Sequence, residues 1–215
     1  MLCIQRFIVN MIQENCYIVN DETNEGVIID CGAFYREEKE AIKKYIEDKH
    51  LTIKHLLDTH LHFDHVLGNE YLFDVFHLQP EANDRDLSLY QNIDKQLTDF
   101  IGLQNYPIHL PPLKRSLDEG DTVTFGTHTF SVIATPGHTP GGIEFYCKEE
   151  KVLFSGDSLF RRSIGRTDFP GGDYNSLIKS LKEKILTLPE DVKVLPGHSL
   201  STTIGNERKT NPYFI

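Results

Sequence analysis

The sequence predicts a layered α/β fold, and three observations carry that expectation. Apolar, β-rich runs recur along the chain and alternate with amphipathic helical stretches. Four of those runs end in a turn that presents His or Asp: His60 with its neighbours in Thr59-His60-Leu61-His62-Phe63-Asp64-His65, then His138, Asp157 and His198. Strand C-termini are a habitual place for chemistry in layered α/β folds. Finally, no Pro/Gly/Ser-rich linker, low-complexity run or composition break divides the 215 residues, so a single domain over 1–215 is expected.

The elements follow in order. Met1 to Ile8 carries its charge inside an apolar run with no small-residue cleavage pattern after it, and reads as a first strand, not a signal peptide. Residues 15–19 and 26–30 form a hairpin across the turn-prone Asp21-Glu22-Thr23-Asn24-Glu25. The second run ends in Asp30-Cys31-Gly32, where the carboxylate caps a turn or supports a neighbouring site. Residues 36–49 place Ala41, Ile42, Tyr45 and Ile46 at helical spacing among charges. A strand at 53–59 then delivers His60 and His62 to one side, because side chains two apart on an extended backbone point the same way. A helix to about Leu72, a short strand at 75–78 and a partly helical 79–103 segment come next, and Pro107 to Pro112 breaks the pattern. Residues 121–125 and 128–134 alternate as a hairpin around Gly126, and the second strand runs into a Gly/Pro-fixed loop holding His138. Strands at 143–147 and 151–158, an amphipathic helix at 174–186 and a last strand and turn at 192–198 complete the pattern.

Composition narrows the function. Hydrophobic content of 39% and charged content of 25% describe an ordinary globular chain. With 22 Lys+Arg against 32 Asp+Glu the net charge is -10, which argues against nucleic acid and favours a small-molecule substrate. No apolar stretch approaches a membrane span, and a cytoplasmic location is expected. Cys3, Cys16, Cys31 and Cys147 form no CxxC pair and read as reduced, buried thiols. The isolated His50, His55, His77, His109 and His128 read as surface or core residues.

The cluster at 60–65 is different. Imidazoles and a carboxylate crowded together gain little as packing, whereas Zn²⁺ takes nitrogen and oxygen ligands of this kind. With His138, Asp157 and His198 the set reaches five imidazoles and two carboxylates. That exceeds the need of one tetrahedral zinc and suits two ions with open positions. Asp157, arriving singly from another strand, is the natural carboxylate to bridge them. Two such ions would lower the pKa of a shared water from about 15.7 to about 7 and polarise a substrate carbonyl, so hydrolysis is the expected reaction.

The ordered set His60, His62, Asp64, His65, His138, Asp157 and His198 resembles the metallo-β-lactamase superfamily and, within it, the glyoxalase II-like (hydroxyacylglutathione hydrolase-like) thioesterases. The resemblance implies a four-layer αββα sandwich of two similar halves: two mixed sheets, helices on the outer faces, and metals at one edge between the sheets. It assigns His60, His62 and His138 to one metal, Asp64, His65 and His198 to the second, and Asp157 to the bridge, with Asp64 and Asp157 in the catalytic role. It implies two Zn²⁺, with iron or manganese as alternatives at one or both sites. Asp30 resembles the family's first motif, supporting the ligands from behind.

Two departures bear on substrate. Asp157 stands where some zinc β-lactamases have Cys, which sets the chain apart from those antibiotic hydrolases. The sequence also stops near the last metal motif, without the C-terminal helical domain that supplies part of the glutathione site in full-length glyoxalase II. Residues 160–173 and 202–212 resemble the short, single-domain subgroup. Arg166 aligns with a basic residue that grips the substrate carboxylate in glyoxalase II, although the aromatic partner expected just after it is absent; an ion pair with Asp168 is the competing role. The expected activity is hydrolysis of S-(2-hydroxyacyl)glutathione or a related acyl thioester. A mononuclear Fe(II) persulfide dioxygenase using His60, His138 and Asp157, and a metallohydrolase of another ester or lactone, are the alternatives. A non-catalytic binding module would be expected to have lost ligands, and none is lost here.

Overall fold

The computed structural model describes residues 1–215. Its first half runs β1 (Cys3–Val9), β2 (Glu14–Asn20), β3 (Glu25–Ile29), α1 (Arg36–Asp48), β4 (Thr52–Leu57), α2 (Phe63–Val66), α3 (Asn69–Phe76), β5 (Pro80–Ala82), α4 (Leu87–Gln91), α5 (Ile93–Ile101) and β6 (Arg115–Ser116). These six strands form one sheet in sequence order. β1, β2 and β3 are antiparallel neighbours joined by short turns, and β3 through β6 are parallel. The switch follows from connection length, since a parallel neighbour needs a crossover and α1 supplies the first.

The second half runs β7 (Thr122–Phe125), β8 (His128–Ala134), β9 (Ile143–Cys147), β10 (Val152–Gly156), the small hairpin β11 (Leu159–Phe160) and β12 (Ser163–Ile164), α6 (Tyr174–Ser180), β13 (Lys193–Pro196), β14 (Thr202–Thr203) and α7 (Ile204–Thr210). Its six-stranded sheet is ordered β14-β13-β10-β9-β8-β7. The plan repeats that of the first half: an antiparallel meander, then one parallel step from β10 to β13 across a helical connection.

Period-two alternation assembles the layers. Along β2, Tyr17 and Val19 enter the core between the sheets, while Cys16 and Ile18 face outward. The central core joins them to Phe125, Phe130, Phe145 and Phe154 of the second sheet. Outside the first sheet lie Ile42 and Ile46 of α1 and Leu72 of α3. Outside the second lie Leu177 of α6 and the following Leu181 and Ile185, against Leu153 and Val194. Each of these side chains contributes about 1.5–3 kcal/mol on burial. The result is the four-layer αββα arrangement, with two mixed sheets packed face to face and helices on both outer faces. No helix is long and apolar enough to cross a membrane.

Three local expectations need correction. The strand expected at 75–78 is the end of α3 and its cap, because Leu72 and Leu78 pack on the outer face of the first sheet and His77 ends the helix in the left-handed region at φ 57°. The β-rich composition of that short run was overruled by packing; the strand itself falls at Pro80–Ala82. The strand leading to the histidines stops at Leu57, because the backbone of Thr59 turns aside to the Asp30 carboxylate. Cys3 is exposed at the sheet edge, while Cys16, Cys31 and Cys147 are buried, and all four thiols are free.

Candidate metal centre

Seven side chains from four strand ends meet at one edge between the sheets. His60 and His62 follow β4, Asp64 and His65 lie in α2, His138 follows β8, Asp157 follows β10 and His198 follows β13. Gly156 makes the approach of β10 to β4 possible: its φ is +48°, and a Cβ there would collide with the Thr59 side chain.

The candidate ligand atoms group into interlocking triads. Those of His60, His62 and His138 lie within 4.8 Å of one another, as do those of Asp64, His65 and His198, and those of His60, His65 and Asp157. Asp157 stands between the first two groups: its carboxylate oxygens lie 3.5 Å from His65 Nε2, 3.6 Å from His198 Nε2 and 3.8 Å from His138 Nε2. His62 Nδ1 and His138 Nε2 are 3.0 Å apart, close to the spacing of about 3.3 Å that two nitrogens on one tetrahedral zinc adopt.

Neighbouring groups fix which ring nitrogen is bare. Thr59 Oγ1 donates to Asp30 Oδ2 at 2.8 Å and so accepts from His60 Nδ1 at 3.1 Å, which leaves His60 Nε2 as a lone pair. His138 Nδ1 donates to the Arg166 carbonyl at 2.7 Å, freeing its Nε2. Asp30 Oδ2 also lies 3.1 Å from His65 Nδ1, on the far side of the ring from the cluster. Such outer partners orient metal-binding imidazoles.

The charges of the two triads are set differently. Burial, followed by repulsion from the neighbouring imidazoles, pushes His60 well below the ordinary histidine range. His62 is lowered by burial and by His138 to about 3. Burial opposes the charge of His65 as well, but Asp64, Asp157 and Asp30 overcome it and raise its pKa well above the usual value. His198 is raised by Asp157 and Asp64 against its own burial. Burial would neutralise Asp64 and Asp157, yet His65 and His198 hold both carboxylates ionised.

Do these residues fit a metal? His60 Nε2, His65 Nε2 and Asp157 Oδ1 are buried with no hydrogen-bond partner in the protein. An orphaned buried polar atom costs about 1–3 kcal/mol, and three converging on one spot are satisfied together by a cation. The set of imidazole nitrogens and carboxylate oxygens fits a divalent metal cofactor.

Two supporting residues escaped the sequence reading. Asp86, buried just before α4, accepts from Leu61 N at 3.3 Å, Thr139 Oγ1 at 2.6 Å and Gly141 N at 2.6 Å, tying the His60–His62 loop to the His138 loop. In a run reading Asn83-Asp84-Arg85-Asp86 it carries no signal beyond that of a helix cap. Asn10 donates from Nδ2 to the carbonyls of Gly32 at 3.0 Å and Asp64 at 2.8 Å. Above the centre opens a cavity of about 490 Å³ that includes Arg166 in its lining. Arg166 pairs bidentately with Asp168, at 2.9 and 2.8 Å.

A sequence profile of the metallo-beta-lactamase superfamily matches residues 9–198. The chain belongs to the metallo-beta-lactamase superfamily. Among members of this superfamily, it is 39% identical over 206 residues to the hydroxyacylglutathione hydrolase GloC of Haemophilus influenzae, covering 95% of this chain and 94% of that one. The crystal structure of the BLEG-1 B3 metallo-beta-lactamase is similar at TM-score 0.86 and 37% identity, covering 100% of this chain and 99% of that one. TTHA1623, solved in a di-iron-bound form, is similar at TM-score 0.85 and 38% identity over 97% and 99% of the two chains. Superfamily membership, this resemblance and the His/Asp clusters together support a metal-dependent hydrolase acting on a small molecule.

Proposed function

We propose that the chain is a binuclear zinc hydrolase of acyl thioesters, of the glyoxalase II type, acting on S-(2-hydroxyacyl)glutathione or a related thioester. The observation that carries this reading is the pair of triads with Asp157 between them and the bare nitrogens of His60 and His138 turned inward. In it, His60, His62 and His138 would hold one ion and Asp64, His65 and His198 the other, with Asp157 in reach of both, while Asp30 lies against His65 and braces His60 through Thr59. Bound there, the ions would lower the pKa of water and polarise the acyl carbonyl.

The chain's own groups favour a thioester. Asp64 and Asp157 are held ionised, so neither carboxyl serves as an acid for the leaving group, and the protons on His65 and His198 are those a bound cation would displace. An amide nitrogen must be protonated to leave. A thiolate, with a thiol pKa of about 8.5, departs as the anion near neutral pH. Water adds to the acyl carbon, the C–S bond breaks, and the products are a carboxylate, a thiol and a proton. The similarity to GloC points to the same chemistry. The full second triad argues for two ions over a single iron held by His60, His138 and Asp157. Free thiols suit the reducing cytoplasm.

Metal analysis coupled to a thioester, lactone, β-lactam and phosphodiester panel tests the reading. About two zinc ions per chain and turnover of an acyl thioester, lost on chelation, are expected. One iron per chain with O₂ uptake on glutathione persulfide would replace it.

A further inference from the structure

The floor of the 490 Å³ cavity is polar, but its wall is not. Phe100 and Ile101 of α5, Phe160 and Ile164 of the β11–β12 hairpin, Phe169 and Ile12 come from four separate parts of the chain to enclose it. Phe100 stacks on Phe63, with ring centroids 5.6 Å apart and planes at 15°, and meets Phe169 edge-on at 4.7 Å. Phe100 is 38% exposed and Ile12 42% exposed, although each borders a site of ionised groups. Large apolar side chains left open around a concave polar floor mark a ligand's apolar portion.

We propose that this wall selects a thioester bearing an uncharged hydrocarbon group beside the scissile bond, with Phe100 and Phe169 as its clamp. The inference rests on the thioesterase reading and narrows its substrate class.

Charge carries the argument further. Arg166 is the one Lys or Arg in the cavity lining, and its guanidinium is taken twice over: bidentate to Asp168, and 4.0 Å above the ring of Phe169. It therefore lies against Phe169 of the wall instead of standing free in the cavity. A substrate carboxylate that displaced Asp168 would leave that carboxylate beside it. Across the Phe100–Phe169 pair lies a second cavity of about 310 Å³, whose Lys95 is paired with Asp99 at 2.6 Å. Arg161 and Lys193 line a separate cavity reaching the start of β13, the opposite end of that strand from His198. A thiol carrying two carboxylates, such as glutathione, thus finds no Lys or Arg in the cavity lining beyond the paired Arg166, and charges buried against the apolar wall go uncompensated. A hydrocarbon group loses nothing on entering.

The test uses the metal-loaded enzyme and two thioester series: N-acetylcysteamine thioesters with acetyl, butyryl and hexanoyl groups, and acetyl thioesters of alkane thiols of increasing length. In one series kcat/KM should rise about fourfold per methylene. In Phe100→Ala and Phe169→Ala the long-to-short ratio of that series should fall tenfold or more, a quantity from which any general loss of activity cancels. Should a variant fail to fold, the wild-type series decides alone. Flat kcat/KM in both series would overturn the clamp while leaving the thioesterase reading intact. So would a glutathione thioester preferred more than tenfold over the N-acetylcysteamine thioester of the same acyl group. Absence of turnover with every thioester, at full metal loading, would overturn the parent reading and the clamp with it.

Discussion

The two candidate metal-binding triads are built from similar side chains and rest in opposite electrostatic states. His60 and His62, packed with His138, are kept neutral by burial and mutual repulsion. Asp64, His65 and His198 form a compensated cluster in which carboxylates draw protons onto imidazoles and are themselves held ionised. The difference teaches that a cation meets ready lone pairs in one place and must displace protons in the other. Asp157, in reach of both, is where the two regimes join.

The most severe way to break this comparison is to remove the carboxylate that lies in reach of both triads. Asp157→Ala is expected to lower kcat/KM on the order of 10³-fold and to bring metal content below two per chain by elemental analysis. Retention of both ions would show that the carboxylate is not shared. A milder perturbation separates the triads through their supports. Asp86→Ala should weaken metal binding about 10–100-fold at the all-histidine triad, because it anchors both of that triad's loops. Asp30→Asn should do the same at His65, and competitive chelator titration would read each loss separately.

The smallest effects extend the contrast to two carboxyl groups away from the ligands. Glu144, accepting from Ser158 beneath the Asp157 turn, is raised by burial from 4.5 to about 8. Folded, it keeps a proton that the unfolded chain sheds, so its contribution should decline as pH rises from about 4.5 to 8. Glu81 is the reverse: against its burial, His55, Arg115 and Lys114 hold it down to about 2. Its contribution is present above the ordinary 4.5 and is lost as pH falls toward 2. Thermal melts of Glu144→Gln and Glu81→Gln against wild type should flatten these opposite slopes, and slopes of the same sign would refute the assignment.

Why the ligands were legible and their supports were not follows from the chemistry of each. Crowded histidines after an apolar run have no ordinary structural use, so residues 60–65 announce themselves, and the recurrent strand-then-turn pattern brings out His138, Asp157 and His198. Asp86 and Asn10 act through backbone carbonyls and amides of distant loops, and one Asp or Asn in a turn looks the same whether it caps a helix or braces a site. The helix-for-strand exchange at 75–78 has a similar source, since four β-prone residues are too few to resist a sheet face that needs covering. Phe100 lies in the partly helical 79–103 segment and Phe169 in the 160–173 stretch, and only the fold brings their rings together across the cavity.

Gly165 begins the segment that carries Arg166 and Phe169. Its amide donates to the Ser158 carbonyl at 3.0 Å, and any Cβ on it would strike the backbone of Asp157. The segment proposed to meet the substrate is thereby fastened beside Asp157, the carboxylate in reach of both triads. Exchanging side chains around 169, at the far end of this segment, would retune the proposed wall without disturbing the His/Asp cluster. At its near end every alternative amino acid would alter both at once, so inherited variation should accumulate at the tip and be purged at the root.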